Sequence, residues 1–373
     1  MTKIRILIVD DSSTTRLLLT RLLSRDPNVE VIATAADGQI ALSKLEQSLP
    51  DLVLLDVEMP QLDGLATLKA LREKYLALPV IMFSRLTMRG AAESVEALFL
   101  GADDYVAKPA SSEELDQCIE YELLPRIRSL AGMRSGLSSS ARTRPAQTAS
   151  AKAADSETQD AIRLRTDPLS ARVDVVTIAA STGGPAALAT LLAALAPEPA
   201  VPILPVPILP VPILIVQHIS AGFTTAFAER LAQRTGLDVK EARADQPLSD
   251  AHVWIAAGDH HMFLAESDDG LRVRLNQAAP EHSCRPAANV LFRSAAEVLG
   301  AGSLGVVLTG MGVDGLAGSQ AIVDVGGHVI VQDEASSVVW GMPGSVAKAG
   351  LADAMFSPVR IGREVRQRLA IGR

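Results

Sequence analysis

Short aliphatic runs, each leading into polar or charged residues, recur along this chain with amphipathic helical spacing between them. They appear as ILIVDD, LVLLD, VIMFS and DYVAK in the first half, and as VVTIAAS, ILIVQH and GVVLTG in the second. Strand-length runs alternating with helices predict parallel sheets covered on both faces. In such sheets the functional crevice lies beyond the carboxyl ends of the strands, where the polar residues fall. Aromatics make up only 3% of the chain, so the cores must be built from Ala, Val, Leu and Ile.

At 373 residues the chain has room for two ordinary domains. Residues 130–172 are rich in Ser, Ala, Thr and Arg without sustained apolar periodicity, which reads as a linker. The expected division is residues 1–126, a linker at 127–172, and a second domain at 173–373. The fold class expected is α/β throughout: a flavodoxin-like parallel sheet first, then a doubly wound domain.

In the first domain, strands are expected at 5–9, 29–33, 52–56, 80–83 and 104–106. Asp10, Asp11 and Asp56 then gather at one sheet edge, where they repel one another unless a cation is present. Mg2+, a hard cation that takes one or two carboxylates and keeps several waters, suits the set. Ser84 and Lys108, after the fourth and fifth strands, add a hydroxyl and an ammonium suited to phosphoryl oxygens on Asp56. The bland alternative for each acid is a helix cap or solvated loop residue. Five suitable residues at successive strand ends argue against coincidence.

These stretches, IVDDSSTTR, DLVLLDVEMPQLDG, FSRLT and ADDYVAKPA, resemble a two-component receiver domain. The resemblance implies that Asp56 accepts a phosphoryl group from a sensor histidine kinase, that Asp10, Asp11 and Asp56 hold Mg2+, and that Ser84 and Lys108 respond to the phosphate. Lys108-Pro109 is a place where a cis peptide would be affordable.

In the second domain, VDVVTIAA runs into STGGP, exposing the Ser181 hydroxyl on a strand-to-helix turn. Alone this is weak, because Ser or Thr before Gly-Gly-Pro is more often a helix cap. His218 ends the next strand and Asp314 follows GVVLTG, so nucleophile, general base and orienting carboxylate would meet at three strand ends.

IAASTGGP, LIVQHI, WIAAGDHHM, CRPAANVLFRSAA and VVLTGMGVDG together resemble the CheB family of chemotaxis response-regulator methylesterases. The likeness implies that Ser181 attacks a γ-glutamyl methyl ester on a chemoreceptor, that His218 takes its proton and that Asp314 orients the imidazole. The backbone near Thr182 and Met311 would bind the oxyanion, and some members also deamidate receptor glutamines. No cofactor is implied for ester hydrolysis. Against the family pattern, Cys284 stands where many members have His, Asn289 where many have Asp, and Ala257 where Pro is common. Cys284 has no base visible beside it in the sequence and reads as a small residue near the site.

A net charge of −8 argues against nucleic acid as a partner. The start of the chain enters a strand pattern at once, without an apolar signal core, and a cytoplasmic protein is expected. The repeat VPILPVPILPVPILIVQH cannot span a membrane, because its prolines remove backbone donors throughout. Its five-residue period is odd, so successive copies would present opposite faces of a strand. Only Ile213 to Gln217 should serve the sheet, with the upstream copies in an extended surface loop. The competing function class is a non-enzymatic response regulator whose second domain binds a signalling partner.

Overall fold

The computed structural model describes residues 3–85, 88–109, 111–140, 162–165, 172–195, 209–248 and 253–370. The first domain runs β1 Ile4–Val9, α1 Ser13–Leu23, β2 Val29–Ala35, α2 Gly38–Gln47, β3 Leu52–Leu55, α3 Gly64–Lys74, β4 Val80–Arg85, α4 Met88–Phe99, β5 Asp104–Lys108 and α5 Ser112–Cys118. Its strands form one parallel sheet in the order β2-β1-β3-β4-β5, the flavodoxin-like order. Ser12, Asp37, Asp63 and Ser111 each start a helix by accepting a backbone N–H with the side chain, which satisfies one orphan donor at that end.

After α5, a π-helical turn at Ile119–Leu123 leads into α6 Leu124–Ser140. This moves the expected linker boundary at 127, because the helix continues well past it. Ile119, Leu123, Ile127 and Leu130 lie on one helical stripe and are buried in the same core as Ile8 and Phe83. The Ser- and Arg-rich run that follows masked how far the helix continues. Of the remaining linker, residues 162–165 and Arg172 are described, and residues 162–165 lie on the second domain: Ile162 packs on its core and the Arg165 N–H donates to Ala352 O at 2.9 Å. The Lys108-Pro109 bond is trans, as most X-Pro bonds are; among the described residues the cis bond is Arg285-Pro286.

The second domain contains β6 Val175–Ala180, α7 Gly184–Leu195, β7 Ile213–Gln217, α8 Thr224–Thr235, β8 Val239–Glu241, β9 Gln246–Pro247, β10 Val253–Ile255, β11 His261–Ser267 and β12 Gly270–Asn276. It continues with α9 Ala288–Leu299, β13 Ser303–Val307, α10 Leu316–Asp324, β14 His328–Gln332, α11 Gly341–Lys348, β15 Ala354–Phe356 and α12 Pro358–Leu369. Seven strands form a parallel sheet in the order β15-β14-β13-β6-β7-β10-β8, while β11, β12 and β9 make a small antiparallel sheet beside it. β6, β7, β13 and β14 are buried at every position, as strands covered on both faces must be. No helix among the described residues is long and apolar enough to cross a membrane.

The final copy of the repeat supplies β7 as expected. The first eight residues of the repeat, 201–208, lie outside the described residues. Leu209 from the second copy departs from a pure surface loop: it is buried in the core together with Val211. An apolar residue two positions before a core residue follows it inward on an extended chain.

Candidate active site and the receiver face that covers it

β6, β7 and β13 are adjacent, so their carboxyl ends bring residues 181, 218 and 309–314 to one edge. The turn after β6 is tight: Gly184 N–H donates to Ser181 O at 2.7 Å, and Gly183 takes a left-handed φ of 76° that favours glycine. Gly310 lets the β13 loop approach, since a Cβ there would stand 2.8 Å from the Ser181 Cβ. The buried Gln217 amide donates to Ser181 O at 2.9 Å and ties the nucleophile loop to β7.

His218 Nε2 and Asp314 Oδ2 are 2.8 Å apart, with the imidazole nearly and the carboxylate fully buried. Asp314 also accepts the N–H groups of Ala288 at 2.6 Å, Asn289 at 3.0 Å and Gly315 at 2.9 Å. Asn289 in turn accepts the Gly315 and Gly318 N–H groups at 3.0 and 2.8 Å, which fixes the loop carrying Asp314. This role was not foreseen from the sequence, where Asn289 registered only as a departure. Burial alone would raise the Asp314 carboxyl, but the His218 hydrogen bond and backbone donors prevail and hold it below the usual range. Burial pulls the His218 imidazole down, yet its hydrogen bonds to Asp314 and then Cys284 outweigh this and raise it to about 9.

The third member of the expected triad is not yet joined to the other two. Among the described residues, the Ser181 hydroxyl makes no hydrogen bond to His218. The other ring nitrogen, Nδ1, instead faces Cys284 Sγ at 3.6 Å. Cys284 therefore does have a base beside it, correcting the sequence reading. The two residues lie 66 positions apart, so no local pattern could reveal the contact. Donor atoms of His218, Cys284 and Asp314 lie within 4.8 Å of one another, but the Asp314 oxygens are already committed to four donors and are ill placed for a cation.

Thr182 and Met311, the oxyanion candidates, flank Ser181 and lie against the first domain. Thr182 is buried and its hydroxyl donates to the Asp104 carboxylate of β5. Gly183 N–H donates to Asp103 O at 3.1 Å, and Ser220 N–H to the Tyr105 hydroxyl at 2.7 Å. Thus three consecutive residues, Asp103 to Tyr105, grip both the loop bearing Ser181 and the loop following His218. Tyr105 packs on Phe223 with ring centroids 4.4 Å apart, and Phe99 stacks on Phe227 at 5.9 Å. Arg230 pairs with Glu96, and Val339 joins the first domain's core, with Met311 and Val338 packed against that cluster.

At the other end of β5, donor oxygens of Asp10, Asp11 and Asp56 lie within 4.8 Å of one another. Lys108 Nζ pairs with Asp10 at 2.7 Å and with Asp56. One ammonium among three carboxylates leaves excess negative charge, and an all-oxygen donor set fits Mg2+. Burial is the largest influence on Asp56 and raises its carboxyl, with Lys108 opposing and Asp10 adding to the rise. Ser84 is buried near the end of β4, beside Ala107 of β5 in register.

Family models match both domains of the chain. The CheB methylesterase family model matches residues 176–365, and the response regulator receiver domain model matches residues 6–120. A protein of Trichodesmium erythraeum named protein-glutamate methylesterase/protein-glutamine glutaminase is 44% identical, covering 99% of this chain and 100% of its own length. A protein of the same name from a Nocardioides species is also 44% identical, over 99% of this chain and 96% of its own. The crystal structure of the Thermotoga maritima CheB methylesterase catalytic domain is 33% identical and covers 53% of this chain and 99% of that one, with a TM-score of 0.48. The chain belongs to the CheB methylesterase family, in the form that carries a response regulator receiver domain ahead of the esterase domain.

Proposed function

We propose that this chain is a phosphorylation-gated serine hydrolase that demethylates γ-glutamyl methyl esters of chemoreceptors. The observation that carries the reading is the His218–Asp314 hydrogen bond beside Ser181 at one sheet edge, in a chain related over nearly its whole length to methylesterases. Ser181 Oγ attacks the ester carbonyl and His218 takes its proton, while Asp314 holds the imidazole and stabilises its charged form. The amides of Thr182 and Met311 receive the oxyanion. Methanol leaves with the proton from His218, and water activated by the same base releases the glutamate. A receptor glutamine enters the same acyl route with ammonia as the leaving group.

The docked receiver, gripping Thr182, Gly183 and Ser220, is read as holding the esterase in its resting state. Among the described residues Ser181 and His218 are not hydrogen-bonded, and the free imidazole nitrogen faces Cys284 instead. A sensor histidine kinase supplies the phosphoryl group to Asp56 in the cytoplasm. Mg2+ held by Asp10, Asp11 and Asp56 would neutralise the phosphoryl oxygens. Ser84 and Lys108 respond to the new charge, and Lys108 shares β5 with Asp104 and Tyr105 of the grip, giving the switch a direct route to the esterase loops.

The test is methanol release from methylated receptor fragments by the full chain, before and after treatment with a small-molecule phosphoryl donor. Release that rises on phosphorylation supports the reading. No release in either state refutes it and favours a binding role.

A further inference from the structure

Cys284 is half-buried and follows two residues in the left-handed region, His282 at φ 50° and Ser283 at φ 63°. That turn sends its thiol back toward the carboxyl edge of the sheet, where Sγ lies 3.6 Å from His218 Nδ1 and 3.5 Å from His282 O. Asp314 occupies the opposite nitrogen, Nε2, at 2.8 Å. In a nucleophile–imidazole–carboxylate relay, the nitrogen bonded to the carboxylate carries a proton and the other one accepts the nucleophile's. Here the group at the accepting nitrogen is the thiol. Cys284, His218 and Asp314 form a complete relay, with Ser181 outside it.

We propose that Cys284 is an activated nucleophile and a site of covalent modification by small soft electrophiles, and that its modification takes the catalytic base away from Ser181. The thiol proton passes to His218 Nδ1 as sulfur attacks. With iodoacetamide, a sulfur–carbon bond forms, the carbon–iodine bond breaks, iodide departs, and the imidazolium later releases its proton to water. The thioether left beside Nδ1 has no proton to donate and fills the space in front of the base. The nucleophilicity does not depend on the esterase reading; only the consequence for hydrolysis does.

The protein carries its own internal control. Its second cysteine, Cys118, is buried, and burial pushes that thiol up to about 12, so it should be inert.

The experiment follows iodoacetamide labelling of each cysteine in the full chain by mass spectrometry. Cys284 should label at least about tenfold faster than Cys118 at neutral pH, and His218→Gln should slow it by about tenfold. In the unmodified chain Cys284 should label at least about tenfold faster than the cysteine of a short unstructured peptide under the same conditions. Labelling of Cys118 in the variant signals lost folding, and the comparison with the peptide then decides. A Cys284 rate no faster than the peptide's, or an equal Cys284 rate in folded His218→Gln, overturns the proposal. Fast labelling in a protein that releases no methanol upholds it and refutes the esterase reading instead.

Discussion

Ser181, His218 and Asp314 differ in what their loss removes. Ser181→Ala deletes the atom that forms the acyl bond and should lower kcat by about 10^6, whereas Asp314→Asn disturbs orientation and imidazolium charge and should cost about 10^4. Steady-state methanol release measures both, and full activity in Ser181→Ala would remove the serine from the chemistry. The raised imidazole gives a pH dependence with a definite sign. Held near 9 against an ordinary value of 6.5, His218 adds stability that is fully present below about pH 6.5 and lost as pH rises through about 9. Catalysis runs the other way, because only the neutral ring accepts a proton. The unphosphorylated full chain should therefore gain kcat/KM up to about pH 9, and Cys284→Ala, which removes one of the raising contacts, should move that limb downward. A limb near 6.5 in the unmodified chain would contradict the arrangement at His218.

At the scale of elements, the sequence announced what is periodic and local, and concealed what is assembled across distance. All five receiver strands and β6, β7 and β13 were legible because each is an aliphatic run with a polar end, and the parallel sheet then placed Ser181, His218 and Asp314 at one edge. The continuation of α6 past residue 127 was hidden by composition, although the stripe Ile119, Leu123, Ile127 and Leu130 was present in the sequence. Asn289 under Asp314 and Cys284 against His218 carry no local signature, since each joins residues far apart in the chain. Leu209 yields a prediction at this scale. Deleting one repeat copy, Val201 to Pro205, leaves Leu209, Val211 and β7 in place and should change stability by about 1 kcal/mol or less, because loop entropy varies logarithmically with length. Leu209→Ala removes a buried side chain and should cost about 2–3 kcal/mol. Denaturant melts distinguish the two; equal losses would mean that the first copy is packed as firmly as Leu209.

At the scale of the whole molecule, the receiver and the esterase domain share an interface whose contacts fall on the loops that do the chemistry. A switch can alter activity only if its two states engage the esterase differently, and the residues available to differ are those of β5 and α4. The Arg230–Glu96 pair isolates docking from catalysis, because it joins α4 to α8 away from Ser181 and both side chains are partly exposed. Such pairs contribute about 1 kcal/mol or less, while two like charges in contact repel by a comparable amount. Glu96→Arg alone should therefore weaken docking and raise unphosphorylated methanol release roughly three- to tenfold. Adding Arg230→Glu restores an attractive pair with reversed polarity and should return the rate toward that of the unaltered chain. Removing residues 1–161 should exceed either effect while keeping Ile162 and Arg165 on the esterase domain. If the single reversal leaves the basal rate where it was, or the double reversal fails to lower it again, the docked receiver is not what restrains the enzyme.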